Sequence, residues 1–309
     1  MARWPDQPVT VRVPATSANL GPGFDSLGLA LSLHNTVTAR IVAGDTEVET
    51  YGTWPGPDLA DPEGNLIIRA MRATFARIGA QPPGIKISCG NEVPQGFGLG
   101  SSAAAIVSGV VAARALAGAD GTAALPDDAV LPLASQLEGH PDNVAACLLG
   151  GLTISWTSAS GVRAARVAPL SGLAPVLCVP AEPLSTQTAR KALPAQVPHA
   201  DAAANSARAA LLIAALTGRP DLLLAGTEDF LHQSYRAAAM PASAALIARL
   251  REAGIAAVVS GAGPTVLALT VTGARPGPGD VTAIAAADGL SWRVLQLGVD
   301  AEGAVLLAA

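Results

Sequence analysis

The sequence predicts an α+β protein of two domains, and three observations carry that expectation. Half of its 309 residues are hydrophobic and only 14% are charged, so there is apolar material for a substantial core. Short alternating strands are interleaved with alanine-rich helical stretches, most regularly in the second half. The pattern loosens around residues 163–173, which divides the chain into segments 1–168 and 169–309.

Taken in order, Val9-Thr10-Val11-Arg12-Val13 alternates as a strand, and Pro14 is expected to break it into a polar loop running to Asp25. A second strand over 35–42 pairs with the first. Residues 51–64 read as loop. Asn65 is a good N-cap for a helix over 66–78, whose apolar positions 67, 68, 71, 75 and 78 keep helical spacing and which Gly79 ends. Residues 84–89 alternate as a short strand, 103–117 form an alanine-rich helix, 118–128 a turn region, 129–137 a helix and 152–156 a strand. In the second half, 174–180 is an apolar strand. Helices are expected over 184–191, over 206–217, through 229–236, and last over 242–253. Strands over 256–259 and 265–270 flank a glycine turn, and a final strand is expected over 292–297.

Composition narrows the function. A formal charge of −5 and the lack of a basic stripe argue against a nucleic-acid partner. The first residues carry no apolar signal region, and no later apolar run reaches the ~18 residues of a membrane span, so a cytoplasmic protein without a membrane partner is expected. Cys89, Cys147 and Cys178 include no close pair, which favours core filling over a disulfide framework or thiolate metal site.

Four polar, glycine-punctuated knots remain. The most informative is Pro94, Gln95, Gly96, Phe97, Gly98, Leu99, Gly100, Ser101, Ser102, Ala103, Ala104, three alternate glycines running into two hydroxyls and a helix. Glycines that tolerate positive φ let backbone N–H groups converge on an anion at a helix N-terminus, and phosphate is the obvious guest. The plain alternative is a serine-capped glycine loop. No lysine precedes the hydroxyls, which excludes the Walker loop. A dinucleotide fingerprint fits only formally, since Asp120 sits in a glycine turn rather than at the end of a second strand.

The other knots are Pro14 to Asp25 with Asn19 and Asp25 around Gly21-Pro22-Gly23, then Glu138-Gly139-His140-Pro141-Asp142-Asn143, and last Ser260-Gly261-Ala262-Gly263-Pro264-Thr265. Each taken singly reads equally as turn or capping chemistry. His140 has no ligand spacing to His34, His199 or His232.

In this order the four knots resemble the family of small-molecule kinases grouped as galactokinase, homoserine kinase, mevalonate kinase and phosphomevalonate kinase. The first and third resemble its homoserine branch. The resemblance spans nearly the whole chain and implies an N-terminal ATP-binding domain of ribosomal-protein-S5-like type and a C-terminal ferredoxin-like α/β domain that caps the substrate. It implies Mg²⁺ and ATP, with phosphates on residues 94–104, and phosphorylation of the L-homoserine side-chain hydroxyl for threonine synthesis. Carried over by position, Asn19, Asp25, Asp142, Thr186, Arg190, Arg236 and Gly261 fall among the homoserine contacts, with Gly263 nearby and Ser102 as a magnesium ligand. Two departures stand out. Phe97 occupies a place where a basic residue is common, and Pro132 one where some relatives carry glutamate, leaving Glu138 as the nearest acid for the metal.

The residue types suit homoserine. Its ammonium asks for Asp25 or Asp142, and its carboxylate for an arginine fork. Asn143 follows Asp142 where an aspartate base stands in other kinases of the family. Asp142 then either binds the ammonium, with the hydroxyl proton going to phosphate, or acts as the base. Two rivals are another alcohol kinase of the mevalonate type and a silent ligand sensor on the same fold. The sequence leaves oligomeric state open, a homodimer included.

Overall fold

The computed structural model describes residues 4–54, 61–118 and 125–308. Parts of the loop expected over 51–64 and of the turn expected over 118–128, including Asp120, lie outside the described residues.

The first half is built on a long antiparallel pair, β1 (Val9–Ala18) and β2 (Leu27–Val42). β1 does not stop at Pro14 as expected. Proline cannot donate to the ladder, and the strand answers with a register shift between Pro14 and Ala15 before continuing. That extension matters, because it carries Thr16 and Ser17 directly under the glycine loop. β3 (Glu47–Tyr51) lies parallel to β4 (Gly84–Gly90) at one edge of the sheet. Between them runs α1 (Leu66–Ile78), where Asn65 Oδ1 accepts the N–H groups of Ile67 and Ile68, and Gly79 closes the helix in the left-handed region, as the sequence predicts.

α2 (Ser101–Gly118) follows the glycine loop, and α3 (Asp127–Glu138) and α4 (Asp142–Leu149) flank it. α2 is 18 residues long and apolar enough on average to match a membrane span by length and composition, which the sequence reading did not find, but 61% of it is buried inside the fold. Its buried face packs with α1 and β1 around Ile68, Met71, Phe75, Ile106 and Val110. β5 (Leu152–Ser158) and β6 (Gly161–Val167) complete this side of the sheet.

The second half opens with β7 (Leu173–Val179), α5 (Thr186–Lys191), α6 (His199–Thr217) and the single turn α7 (Leu223–Gly226). The helix expected through 229–236 shrinks to α8 (Gln233–Arg236), because the Asp229 carboxylate accepts the N–H groups of Leu231, His232 and Gln233 and holds the preceding residues in a capped turn. α9 (Pro241–Glu252), β8 (Ala256–Val259) and β9 (Val266–Val271) follow. α9 is not the last helix, since α10 (Pro278–Ala286) precedes β10 (Arg293–Gln296). The four strands are ordered β10-β7-β9-β8 and all pair antiparallel, the fourth-first-third-second order of a βαββαβ ferredoxin-like unit. The α+β class and ferredoxin-like second half agree with expectation.

β10 is not the final strand either. β11 (Val305–Leu307) crosses back and pairs with β1, making the first sheet seven-stranded. One apolar cluster also joins the halves, bringing Leu20, Leu29, Phe97 and Leu99 against Leu177, Leu212, Val258 and Leu267. The cleft between the sheets is therefore floored by shared core.

Candidate active site

The glycine loop spans the gap between β4 and α2, and its geometry is dictated by β1, by the turn between β8 and β9 and by the start of α4 as well as by any ligand. Gly98 has φ +72°, and a Cβ there would strike the carbonyl oxygens of Ser260 and Gly263. Gly100 has φ +69°, and a Cβ there would strike Thr16 Oγ1 and approach Asn143 Oδ1 to 3.1 Å. Only glycine permits both the backbone angle and the approach. The loop is tied down by Ser260 Oγ, which donates to Gly98 O (2.7 Å) and accepts from the Ser17 hydroxyl (2.8 Å), and by Thr16 N donating to Leu99 O (3.1 Å). What remains open is the face where α2 begins with Ser101 and Ser102.

Phe97, noted as out of place in the sequence, faces inward. It is buried and its ring lies 5.5 Å from that of Trp54, so it anchors the loop to the core with Leu99. On one side of the loop lies a cavity of about 350 Å³, whose lining includes Val37, Asn65, Ile67, Cys89, Ala105 and Ser108. On the other is a smaller polar pocket, and Gly96, Ser101 and Ser102 belong to both. An apolar-walled cavity and a charged pocket meeting at one helix N-terminus suit a nucleotide whose phosphates reach toward a second, polar substrate.

The smaller pocket gathers nearly every substrate residue the sequence singled out: Asn19, Asp25, Asp142, Thr186, Arg190, Arg236 and Gly261 all line it, as do Glu138 and Asn143. Asn19 and Asp25 both have positive φ, at 67° and 54°. The Asn19 side chain accepts Asp25 N–H (2.9 Å) and donates to Gly261 O (2.8 Å), stapling the first knot to the fourth. Asp25 accepts two hydrogen bonds from Arg190, of 2.7 and 3.3 Å. Thr186 is exposed on the rim, at the first turn of α5.

Arg236 is 1% exposed. Its Nε donates to Ala189 O (3.2 Å), and its Nη1 donates to Gly261 O (3.2 Å) and to His232 Nδ1 (3.1 Å). Burial pulls its pKa below the ordinary value, and the nearby Arg190 adds to that. The Phe24 ring is within reach of both cations, 5.7 Å from the Arg190 guanidinium and 5.5 Å from that of Arg236.

At the opposite wall, Asp142 is buried at the start of α4 and accepts the Asn143 N–H (2.8 Å) on Oδ1. His140 Nδ1 stands 3.4 Å from the same oxygen, and Asp142 raises the His140 pKa against the opposing effect of burial. Asn143 Oδ1 accepts the Thr16 hydroxyl (2.8 Å), fixing the amide's orientation beside Gly100. Ser102 Oγ donates to Glu138 Oε2 (2.6 Å), and burial pushes the Glu138 carboxyl upward although Ser102 opposes it.

These parts carry a family signature. Residues 65–151 match the model of the GHMP kinases N terminal domain, and residues 207–288 match that of the GHMP kinases C terminal domain. Over 97% of its length the chain is 53% identical to the homoserine kinase of Streptomyces coelicolor, covering 94% of that protein. The chain belongs to the homoserine kinase family. A second relative in this family, the homoserine kinase of Clavibacter michiganensis, is 49% identical over 96% of this chain and 93% of its own. The crystal structure of homoserine kinase from Cytophaga hutchinsonii superposes with a TM-score of 0.84 at 26% identity, covering 97% of each chain. Mevalonate kinase of L. major, at 15% identity and a TM-score of 0.66, shares the fold alone.

Sequence reasoning did not single out Thr16, Ser260 and His232, which hydrogen-bond to Asn143, the glycine loop and Arg236. Thr16 and Ser260 sit in knots the sequence did flag, but their partners are more than 120 residues away, and His232 lies outside the knots, in a segment expected to be helical. Among the described residues no group of three or more His, Cys, Asp or Glu side chains is placed to hold a metal ion. A hydroxyl and a carboxylate in contact at the glycine loop nonetheless make a hard oxygen pair of the kind Mg²⁺ uses when phosphates supply further ligands. An acid held above its usual range by burial is also one that a cation would favour.

Proposed function

We propose that this chain transfers the γ-phosphoryl group of ATP to the side-chain hydroxyl of L-homoserine, giving O-phospho-L-homoserine. The observation that carries the reading is the pocket's charge pattern. A buried arginine with only neutral direct partners faces the same small space as a buried aspartate, next to a phosphate-type loop. An alcohol bearing both a carboxylate and an ammonium satisfies both walls, whereas mevalonate would leave Asp142 without a partner. Residues 1–168 serve as the ATP-binding half and 169–309 as the capping half, with β11 returning to the first.

In this reading the backbone N–H groups of the glycine loop and the N-terminus of α2 hold the nucleotide phosphates, and the larger cavity takes the base. Arg236, with Nη2 free of any hydrogen-bond partner among the described residues, receives the substrate carboxylate, assisted by the remaining N–H groups of Arg190. Asp142 Oδ2 likewise has no such partner and receives the ammonium. Asn19, Gly261 and Thr186 shape the walls between. Ser102 and Glu138 are the residues that fit Mg²⁺, which when bound neutralises charge on the phosphates. Phosphoryl transfer asks the protein mainly for alignment and charge stabilisation, so Asn143, locked by Thr16, orients the acceptor hydroxyl without needing to remove its proton. The reaction belongs in the cytoplasm, which suits three buried free cysteines.

The test is ADP release from ATP with L-homoserine, mevalonate and shikimate presented separately. Turnover with homoserine alone supports the reading. Comparable turnover with mevalonate, or none with homoserine, removes it.

A further inference from the structure

We propose that His232, as a neutral imidazole, is the positioning residue that holds the Arg236 guanidinium in the pocket without cancelling its charge, and so sets affinity for the substrate carboxylate. This rests on the reading of Arg236 as the carboxylate partner.

The protonation pattern follows from the contacts. A guanidinium only donates, so the 3.1 Å contact between Arg236 Nη1 and His232 Nδ1 makes Nδ1 the acceptor. The ring hydrogen therefore sits on Nε2, which donates to Gly21 O at 2.8 Å. An imidazolium would turn an N–H toward the guanidinium. Complete burial acts in the same direction, lowering the His232 pKa, against Asp229.

The surrounding acids are spoken for. Asp229 Oδ1 is 3.7 Å from His232 Nε2, but its two oxygens accept three backbone N–H groups. Asp25 is held by Arg190. Arg236 is thus fixed by two carbonyls and one imidazole, all uncharged, and its positive charge is left for a ligand. A carboxylate at position 232 would hold the arginine as firmly but neutralise it. Through Gly21 O, and through ring contact with Phe24 at 5.3 Å, His232 also registers the arginine against the loop that carries Asn19 and Asp25.

Two conservative variants separate this role from simple packing. His232→Asn keeps an acceptor where Nδ1 stands and loses the donor to Gly21, and His232→Gln does the reverse. Steady-state kinetics are measured for both and for Arg236→Ala, with L-homoserine and with 3-aminopropan-1-ol, which lacks the carboxylate. Losing a hydrogen bond to a charged group should raise KM for homoserine roughly ten-fold or more in His232→Gln, with kcat changed less than about two-fold and little effect on the amino alcohol. His232→Asn should stay near wild type. The opposite ranking of Asn and Gln would make the Gly21 link the important one and overturn the proposal. Unchanged KM in His232→Gln beside a raised KM in Arg236→Ala would also overturn it while leaving the functional reading intact. Unchanged KM in Arg236→Ala would sink that reading itself. A measurement that needs no variant is the ¹⁵N spectrum of His232 in the wild-type enzyme. The Nε2–H tautomer is expected, and an imidazolium or Nδ1–H form at neutral pH contradicts the proposal.

Discussion

Replacing Arg190 by alanine should weaken selection for the substrate carboxylate while barely touching stability. The guanidinium makes two hydrogen bonds to Asp25, and both side chains are more than a third exposed, at 38% and 37%. A pair so open to solvent contributes roughly 0–1 kcal/mol to folding, which for a chain of this size moves Tm by no more than about 4 °C. A charge-assisted contact to the substrate is worth about 1.5–3 kcal/mol, or ten- to a hundred-fold and somewhat beyond. Asp25 already takes one hydrogen from each terminal nitrogen and offsets the charge, so the low end applies, about ten-fold in kcat/KM for homoserine. The assay is coupled ADP release with homoserine and 3-aminopropan-1-ol, alongside a thermal melt. Arg190→Lys should recover only part of the loss, because an ammonium cannot keep both Asp25 bonds and reach the substrate. Equal losses on the two substrates would refute the carboxylate role, as would a large fall in Tm with unchanged selectivity.

Other outcomes follow from the same geometry. Glu138→Gln should lower kcat and raise the magnesium concentration needed for half-maximal rate, and full activity at low magnesium would assign the metal elsewhere. Gly100→Val should abolish nucleotide binding by equilibrium titration, since its Cβ meets Thr16 Oγ1 and its φ resists a branched side chain; a folded variant with wild-type ATP affinity would exclude the cradle. His140 titrates above its ordinary value of 6.5 because of Asp142, so this pair stabilises the fold fully below that value and loses its contribution as pH rises through the folded pKa. The Tm gap between wild type and Asp142→Asn should therefore narrow as pH rises from about 5.5 to about 8.5, and the His140 resonance of the variant should titrate lower.

The elements legible in the sequence were those with strong local signals. α1 announced itself through Asn65, a clean apolar stripe and Gly79. β3 and β6 were missed because Glu47-Val48-Glu49-Thr50-Tyr51 and Gly161-Val162-Arg163-Ala164-Ala165-Arg166-Val167 lie at the sheet's margins, largely exposed and without an apolar face to declare. β11 is three residues long and exists only because β1 offers an edge. Pro14 misled for the opposite reason, since its local meaning as a breaker was overridden by a bulge that tertiary pairing stabilises. At the site, residue types and order were legible, but pairings were not. No local pattern tells that Arg190 will find Asp25 across 165 positions, or that His232 will fix Arg236 rather than bind a metal.

The central claim is that an amino-acid alcohol lies between Asp142 and Arg236 with its hydroxyl facing the glycine loop. A crystal structure with L-homoserine and a non-hydrolysable ATP analogue tests it most directly. The account predicts the carboxylate within hydrogen-bond distance of Arg236 Nη2, the ammonium on Asp142 Oδ2, and the hydroxyl oxygen toward the γ-phosphate beside Asn143. Homoserine bound with its carboxylate toward Gly98 and Gly100, or away from Arg236, would contradict it.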